Sequence, residues 1–400
     1  MSVVITGVGA ITPLGMDLPS SWEALIDGQN GIHPIKRFDA TGFPVQFGAE
    51  CPNVEVQSDL VSLLSNSLKQ QFCYTAAAEA INMAKVDLSG PRVGISIGSE
   101  AARPDLFDLA HRLKKKLPIR KEDLQLMDPQ APLHILQHLT KASGPTSVIS
   151  TACTSSSQAI GEGLLRLRRG EVDKMIVGGV DVLVDPIMVT GFSLLGALST
   201  RNEDPASASR PFDVDRDGFV LGEGAGFMIL ERERDASKRG AEILGRLSGF
   251  GCSCNAYRIT DSPPDGRGAA QSMIAAMKDA KLSPTDIGYI NAHGTSTLMN
   301  DASETRGIYR AFPENWKNVP VSSTKSMTGH LVAACGVVEV LFALMAVREG
   351  VLPPTRNLDN IDPACQLHHI PHTAQRLDIK HAISNAFGFG GSNGTIVVSK

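Results

Sequence analysis

The sequence predicts an α/β fold of parallel-rich sheets covered on both faces by helices. Ten short runs that read as strands alternate with helical patterns, the strands are apolar, and they fall into two sets of five. The runs lie near 2–8, 92–98, 146–151, 173–179 and 224–231, then 242–251, 287–292, 319–323, 381–386 and 394–399. A charged stretch from Arg234 to Gly240 separates the sets and suggests halves spanning 1–238 and 239–400. The repetition is visible in element order and hardly at all in residue identity.

The first strand carries Gly7-Val-Gly9-Ala-Ile-Thr12, which looks like a dinucleotide fingerprint, but a threonine replaces the third glycine and Pro13 follows. Nucleotide binding is therefore not expected. Segment 100–143 is richer in Pro, Lys and Leu than its surroundings and reads as an insertion capping the first half. The third strand runs into Ser150-Thr-Ala-Cys153-Thr-Ser-Ser-Ser157, where a helical pattern begins. Unpaired first-turn N–H groups and the positive end of the helix dipole would stabilise a thiolate there. A pKa lowered from about 8.5 to about 7 would raise the thiolate fraction near neutrality from a few per cent to roughly half.

Farther along, Asp213-Val-Asp215-Arg-Asp217-Gly218 opens like a calcium loop, but its twelfth position is Gly224 where a bidentate glutamate is needed, so a structural turn is expected. Cys252-Ser-Cys254 has neither metal-site nor redox spacing. The seventh strand ends in Asn291-Ala-His293-Gly-Thr295-Ser-Thr297, projecting His293 into the loop layer where α/β proteins build their sites. The eighth, from Val319 to Val321, leads through Ser322-Ser-Thr-Lys325-Ser-Met-Thr-Gly-His330 to a strongly apolar helix from Leu331. His330 is thus expected near a helix N-terminus, where the dipole keeps imidazole neutral and able to donate to a developing oxyanion. The last two strands flank a glycine-rich turn, Phe387-Gly-Phe389-Gly-Gly-Ser-Asn393. A cysteine at a helix start, two histidine loops and this turn together point to thioester chemistry.

Composition is consistent with an intracellular enzyme. The formal net charge of −4 argues against a nucleic-acid surface. The seven cysteines are odd in number and lack disulfide or zinc spacing, and the N-terminus lacks a basic segment followed by a long apolar core. A reduced, cytoplasmic protein is expected. The apolar stretch Leu331 to Val347 is interrupted by Glu339 and short for a bilayer, so it reads as a buried helix rather than a membrane insertion.

These motifs resemble the β-ketoacyl-acyl-carrier-protein synthases, elongating condensing enzymes of the thiolase superfamily, and most of all their second class. The resemblance runs essentially end to end. It begins at Val3-Val-Ile-Thr-Gly-Val-Gly-Ala-Ile-Thr-Pro-Leu-Gly15 and continues through the cysteine elbow, Ala197-Leu-Ser-Thr-Arg201 and Arg210-Pro-Phe-Asp-Val-Asp-Arg-Asp-Gly-Phe-Val-Leu-Gly-Glu-Gly224. Both histidine loops and the glycine turn complete it. The resemblance implies a thiolase-type fold, two similar halves in a five-layered α-β-α-β-α core, and decarboxylative condensation of an acyl-enzyme with malonyl-acyl-carrier protein. It casts Cys153 as nucleophile, His293 and His330 as catalytic donors, Lys325 as an organising charge with Glu304 as its acidic partner, and the amides of Cys153 and Phe389 as the oxyanion hole. Phe389 also matches a gate to the acyl pocket, and Thr295 and Thr297 match positions that bind pantetheine. No tightly bound cofactor or metal is implied, since substrates ride on the carrier's phosphopantetheine. A homodimer is implied, with a heterodimer with a chain-length factor as the alternative.

The carrier is expected to be acidic, with Lys69, Arg166, Arg168, Arg169 and the stretch His111 to Lys116 with Arg120 and Lys121 as basic candidates to meet it. Several positions depart from the family pattern: Leu298-Met299-Asn300 after the first histidine motif, Asn255-Ala-Tyr-Arg258, Gly196 where a docking arginine is common, and Ser156 three residues after the cysteine. They suggest a dedicated carrier or an unusual acyl chain, in fatty-acid or polyketide and polyene synthesis. A thiolase would need a second cysteine in the glycine turn, a starter-unit synthase a Cys-His-Asn set, and a silent chain-length subunit would lack Cys153.

Overall fold

The computed structural model describes residues 1–54, 67–100, 106–119 and 128–400. All ten expected strands form: β1 (Val3–Ile11), β2 (Val93–Gly98), β3 (Thr146–Ile149), β4 (Lys174–Asp181) and β5 (Gly224–Arg232) in the first set. The second set comprises β6 (Gly245–Cys254), β7 (Tyr289–Asn291), β8 (Pro320–Ser322), β9 (His381–Phe387) and β10 (Ser392–Ser399).

Within the first set the spatial order is β3-β2-β4-β5-β1, and within the second β8-β7-β9-β10-β6, the same permutation of third, second, fourth, fifth and first. The two join where Val4 pairs with Arg246 and Ile5 with Gly245. Duplication that residue identity hardly shows is therefore plain in topology. The sheets are mixed rather than parallel-rich. In each half the third, second and fourth strands run parallel, whereas the fifth is antiparallel to both the fourth and the first. In the second half the reason is local: β9 and β10 are joined by the tight glycine turn, and a short connection can only make an antiparallel pair.

Helices complete five layers. Helix α1 (Leu68–Ala84) covers β1 on one outer face, and α3 (Arg267–Ala280), with α4 (Leu298–Ala311) beside it, covers β6 and β10 on the other. Between the sheets lie α2 (Ser155–Arg168) and α5 (Cys335–Glu349), packed on one another, on β2 and β4, and on β9. Twelve residues of α5 are buried, confirming that its apolar stretch is core, where each large side chain stabilises by about 1.5–3 kcal/mol. Gly7 serves this packing: a Cβ there would fall 2.1 Å from the Ala80 carbonyl of α1, so the glycines of the first strand let a helix approach rather than a nucleotide.

The segment that resembles a calcium loop is a knot of ion pairs. Arg210 meets Asp213 at 3.1 Å and Arg216 meets Asp362 at 2.7 Å, while Asp213 also accepts from the amides of Asp215, Asp359 and Asn360. Of the expected insertion, helices Leu106–Lys114 and Ala131–Thr140 are described, and 101–105 and 120–127 lie outside the described residues.

Candidate functional site

The two middle helices begin in the same way. β3 leads to a 3₁₀ turn, Ala152–Thr154, and then α2; β8 leads, through Lys325 and His330, to a 3₁₀ turn, Val332–Ala334, and then α5. Each turn contains a non-glycine residue in the left-handed region, Ala152 at φ 51° and Val332 at φ 42°. Such conformations cost about 1–3 kcal/mol and persist where surrounding contacts hold them. The pseudo-symmetry of the halves brings the two elbows face to face, and Cys153 Sγ lies 3.0 Å from His330 Nε2. A sulfur and ring nitrogens of Cys153, His293 and His330 all lie within 4.8 Å of one another.

His330 has a defined tautomer. The Val332 amide donates to its Nδ1 at 3.3 Å, so the ring proton sits on Nε2, facing the sulfur. The ring packs edge-on against Phe219 and His293, with centroids 5.3 and 5.2 Å away. Burial, and secondly the positive charge of Lys325, hold His330 well below the ordinary histidine pKa. The same two causes, with His330 itself, hold His293 low. Both imidazoles are held toward the neutral form, which was expected of His330 alone, and burial rather than the helix dipole is the main reason.

Cys153 differs from expectation. Its backbone N–H and that of Phe389 are directed at the sulfur, and Lys325 also favours the anion, yet burial outweighs them and pushes the thiol up to about 12. The side chain is only 6% exposed. A helix start lowers a thiol pKa only when the sulfur keeps some solvation, and here it has almost none.

The glycine turn supplies the Phe389 amide. A Cβ on Gly388 would lie 3.0 Å from the Thr151 carbonyl and 3.3 Å from the Cys153 nitrogen, so glycine lets the turn come this close to the elbow without displacing it. Gly390 and Gly391, both at φ 80°, bring the chain round into β10. The Phe389 ring stacks on Phe192, with centroids 6.2 Å apart.

Lys325 is buried, and its partner is Glu339 of α5, 2.5 Å away, rather than the expected Glu304. Burial disfavours the ammonium, but Glu339 overcomes it and raises the lysine above its ordinary value. Glu339 is itself pushed up to about 7 by burial, against the pull of Lys325. Glu304 has another task. It accepts from the His293 and Gly294 amides at 2.9 and 2.8 Å and from Asn385 Nδ2 at 3.1 Å, bracing the His293 loop from behind. Glu304 still adds to the negative field that favours the Lys325 ammonium, but the direct ion pair is with Glu339. The one signal for Glu339 in the sequence is a lone charge inside an apolar helix.

A cavity of about 330 Å³ opens onto Cys153 and both histidines. Thr295 and Thr297 line it, hydrogen-bonded to each other at 2.9 Å, and Thr297 caps α4. Phe192, Leu298, Met299 and Phe389 add apolar walls.

The basic candidates for carrier docking divide. Lys69 is 4% exposed and paired with Asp181, which removes it from any docking surface. Arg166 pairs with Glu162 and Glu171, Arg168 with Asp279 and Arg169 with Glu171. Lys114, Lys115 and Lys116 are exposed, and Arg120 and Lys121 lie outside the described residues. No helix among the described residues is long and apolar enough to cross a membrane.

Comparison with known proteins accords with this geometry. Residues 1–236 match the Beta-ketoacyl synthase N-terminal domain and residues 244–359 its C-terminal domain. The chain is 42% identical to the 3-oxoacyl-[acyl-carrier-protein] synthase 2 of Synechocystis sp. and 40% identical to that of Vibrio harveyi, in each case over 100% of this chain and 98% of the relative. Among solved structures it is similar to a β-ketoacyl synthase from Burkholderia phymatum, at TM-score 0.92 and 30% identity, covering 100% of this chain and 99% of that one. It is also similar to the ketosynthase of a type II polyketide system in complex with its acyl-carrier protein, at TM-score 0.90 and 32% identity over 100% and 99% of the two chains. Fold, site geometry and full-length identity agree, and the chain belongs to the β-ketoacyl synthase family.

Proposed function

We propose that this chain is a condensing acyltransferase that joins an acyl group held on Cys153 to malonyl-acyl-carrier protein, releasing carbon dioxide and β-ketoacyl-carrier protein in fatty-acid elongation. The observation that carries this reading is the 3.0 Å approach of His330 Nε2 to Cys153 Sγ, with two amides directed at the same sulfur. The Cys153 sulfur attacks the acyl thioester, and the amides of Cys153 and Phe389 stabilise the oxyanion. Collapse transfers the acyl group to the enzyme, and the thiol proton ends on the departing pantetheine sulfur. Malonyl thioester then enters the cavity, with Thr295 and Thr297 placed to hydrogen-bond the pantetheine arm. As carbon dioxide leaves, His330 donates through Nε2–H to the enolate oxygen with neutral His293 beside it. The enolate carbon attacks the acyl-cysteine carbonyl, breaking its C–S bond and expelling the Cys153 thiolate, which takes a proton from solvent to restore the thiol. Lys325 and Glu339 supply a fixed field beneath the histidines, and Glu304 holds the His293 loop.

Phosphopantetheine-borne thioesters are the substrates in this reading, and no resident cofactor is required. We place the enzyme in the cytoplasm as a homodimer. Among the described residues the first half ends in the half-exposed edge strand β3, which has no strand partner on its outer side and so suits pairing with a second copy. A second reading, a ketosynthase of a polyketide or polyene pathway working with a chain-length factor, is supported by the similarity to the ishigamide ketosynthase/chain length factor, at TM-score 0.91 and 28% identity. The higher identity to the fatty-acid enzymes favours the first.

Intact-mass analysis after incubation with a panel of acyl-carrier thioesters tests the proposal. It expects an acyl adduct that Cys153→Ala abolishes and malonyl-carrier discharges. An adduct that survives Cys153→Ala, or none with any donor, would overturn it.

A further inference from the structure

The two elbows are tied together from behind by a partly buried network that lies outside the catalytic set. Glu100, just past β2, is half-buried, and its carboxylate grips the Cys153 elbow. One oxygen accepts from the Ala152 amide at 3.0 Å and the Ser155 hydroxyl at 3.3 Å, and the other from the Ser150 hydroxyl at 2.6 Å. Asp181, the last residue of β4, does the corresponding work on the opposite side, accepting from the Ala333 amide at 3.2 Å. Between them lies the ammonium of Lys69, which is 3.3 Å from Asp181 Oδ1 and donates to the backbone carbonyl of Glu100.

Each carboxylate thus satisfies an amide in a 3₁₀ turn, and each turn contains one left-handed residue that needs such restraint. Ala152 directly precedes the nucleophile, and Ala333 directly follows Val332, whose amide fixes the His330 tautomer. Lys69 is 4% and Asp181 1% exposed. A charged pair this dry is costly to break, because losing one partner leaves the other unpaired in the interior.

We propose that Glu100 and Asp181, bridged by Lys69, are positioning residues that hold the Cys153 and His330 elbows in mutual register for the two half-reactions. The proposal rests on the reading of Cys153 as nucleophile and His330 as donor. Glu100 acts on the acylation step through Ala152, Asp181 on the decarboxylation step through Ala333, and Lys69 on both.

The test measures the half-reactions separately with small thioesters that need no carrier. Acylation is followed by intact mass with the octanoyl thioester of N-acetylcysteamine. Decarboxylation is followed with malonyl-N-acetylcysteamine in a Cys153→Gln background, whose side-chain amide stands in for the acyl-enzyme thioester. Misplacement of a reacting group by about 1 Å costs on the order of 100-fold. Glu100→Ala should therefore slow acylation by about 10- to 100-fold and leave decarboxylation within about twofold, and Glu100→Gln, which keeps an acceptor for the Ala152 amide, should recover much of the loss. Asp181→Ala, which removes the acceptor for the Ala333 amide, should show the reverse preference, and Lys69→Met should slow both. Should Lys69→Met or Asp181→Ala fail to fold, the half-exposed Glu100 carries the test. Equal losses in both half-reactions for Glu100→Ala, or no loss in acylation, overturn the positioning role. A wild-type chain that forms no Cys153 adduct would instead remove the site assignment, and this inference with it.

Discussion

The ammonium of Lys325 sits 2.5 Å from a carboxylate oxygen of Glu339, and the two side chains are 1% and 3% exposed. Two charges so completely removed from water are worth little as a pair, but stranding either one is expensive. Glu339→Leu should therefore destabilise the fold by about 3–5 kcal/mol, and adding Lys325→Met should restore part of that loss by removing the orphaned charge. Urea unfolding of the two variants measures this. A single variant within about 1 kcal/mol of the wild type would show that the ammonium reaches solvent or another anion.

Cys153 should behave as a protonated thiol until a substrate engages it. With a thiol pushed up to about 12 by burial, its alkylation by iodoacetamide should climb about tenfold per pH unit from pH 7 to pH 10. A plateau setting in near pH 7 or 8 would instead reveal the depressed thiol that the helix start alone suggests.

The histidines should stay neutral through mildly acid conditions. Because burial and Lys325 hold both below the ordinary value, the imidazole NMR shifts of His293 and His330 should stay those of the neutral ring from pH 8 to about pH 6. A ring that titrates with its midpoint near about 6.5 would mean that it is exposed to water.

Glu304 makes stability depend on pH in the less common direction. Burial pushes its carboxyl up to about 7, against the pull of the Gly294 and His293 amides. A folded-state pKa above the unfolded one means the stabilising contribution is complete below the unfolded value, near 4.5, and lost as pH rises through about 7. The loss is on the order of 3 kcal/mol. Glu304→Gln should flatten that part of the profile, which urea unfolding at pH 5, 6 and 7 can compare. An unchanged slope would exclude Glu304 as its source.

Gly388→Ala should retain the fold and lose turnover. The added methyl would press on Thr151 and Cys153 at 3.0 and 3.3 Å and push the Phe389 amide off the sulfur. Losing one oxyanion donor typically costs 10²–10³ in rate, so acylation should fall by about that factor while circular dichroism is unchanged. Near-normal acylation would show that the Phe389 amide is not an oxyanion donor.

Much of this protein is determined by local sequence. All ten strands follow from short apolar runs, and Cys153, His293 and His330 can be picked out because each stands where such a run breaks into a loop or a helix. Helix α5 is recognisably core for the same reason, since an apolar face all round leaves no side for water. The tertiary structure decided what lies across the layers. Lys325 pairs with Glu339 rather than Glu304, and Lys69 leaves the surface for Asp181, because ion-pair choice depends on which helices the two halves stack together. It also set the sign of the Cys153 shift. A helix start favours a thiolate through nearby amides, but how much water remains around the sulfur depends on residues from Phe389 to Lys325, brought there only when the halves close on one another. Patterns of period and punctuation are local and survive in the sequence; solvation and partner choice are properties of the assembled interior.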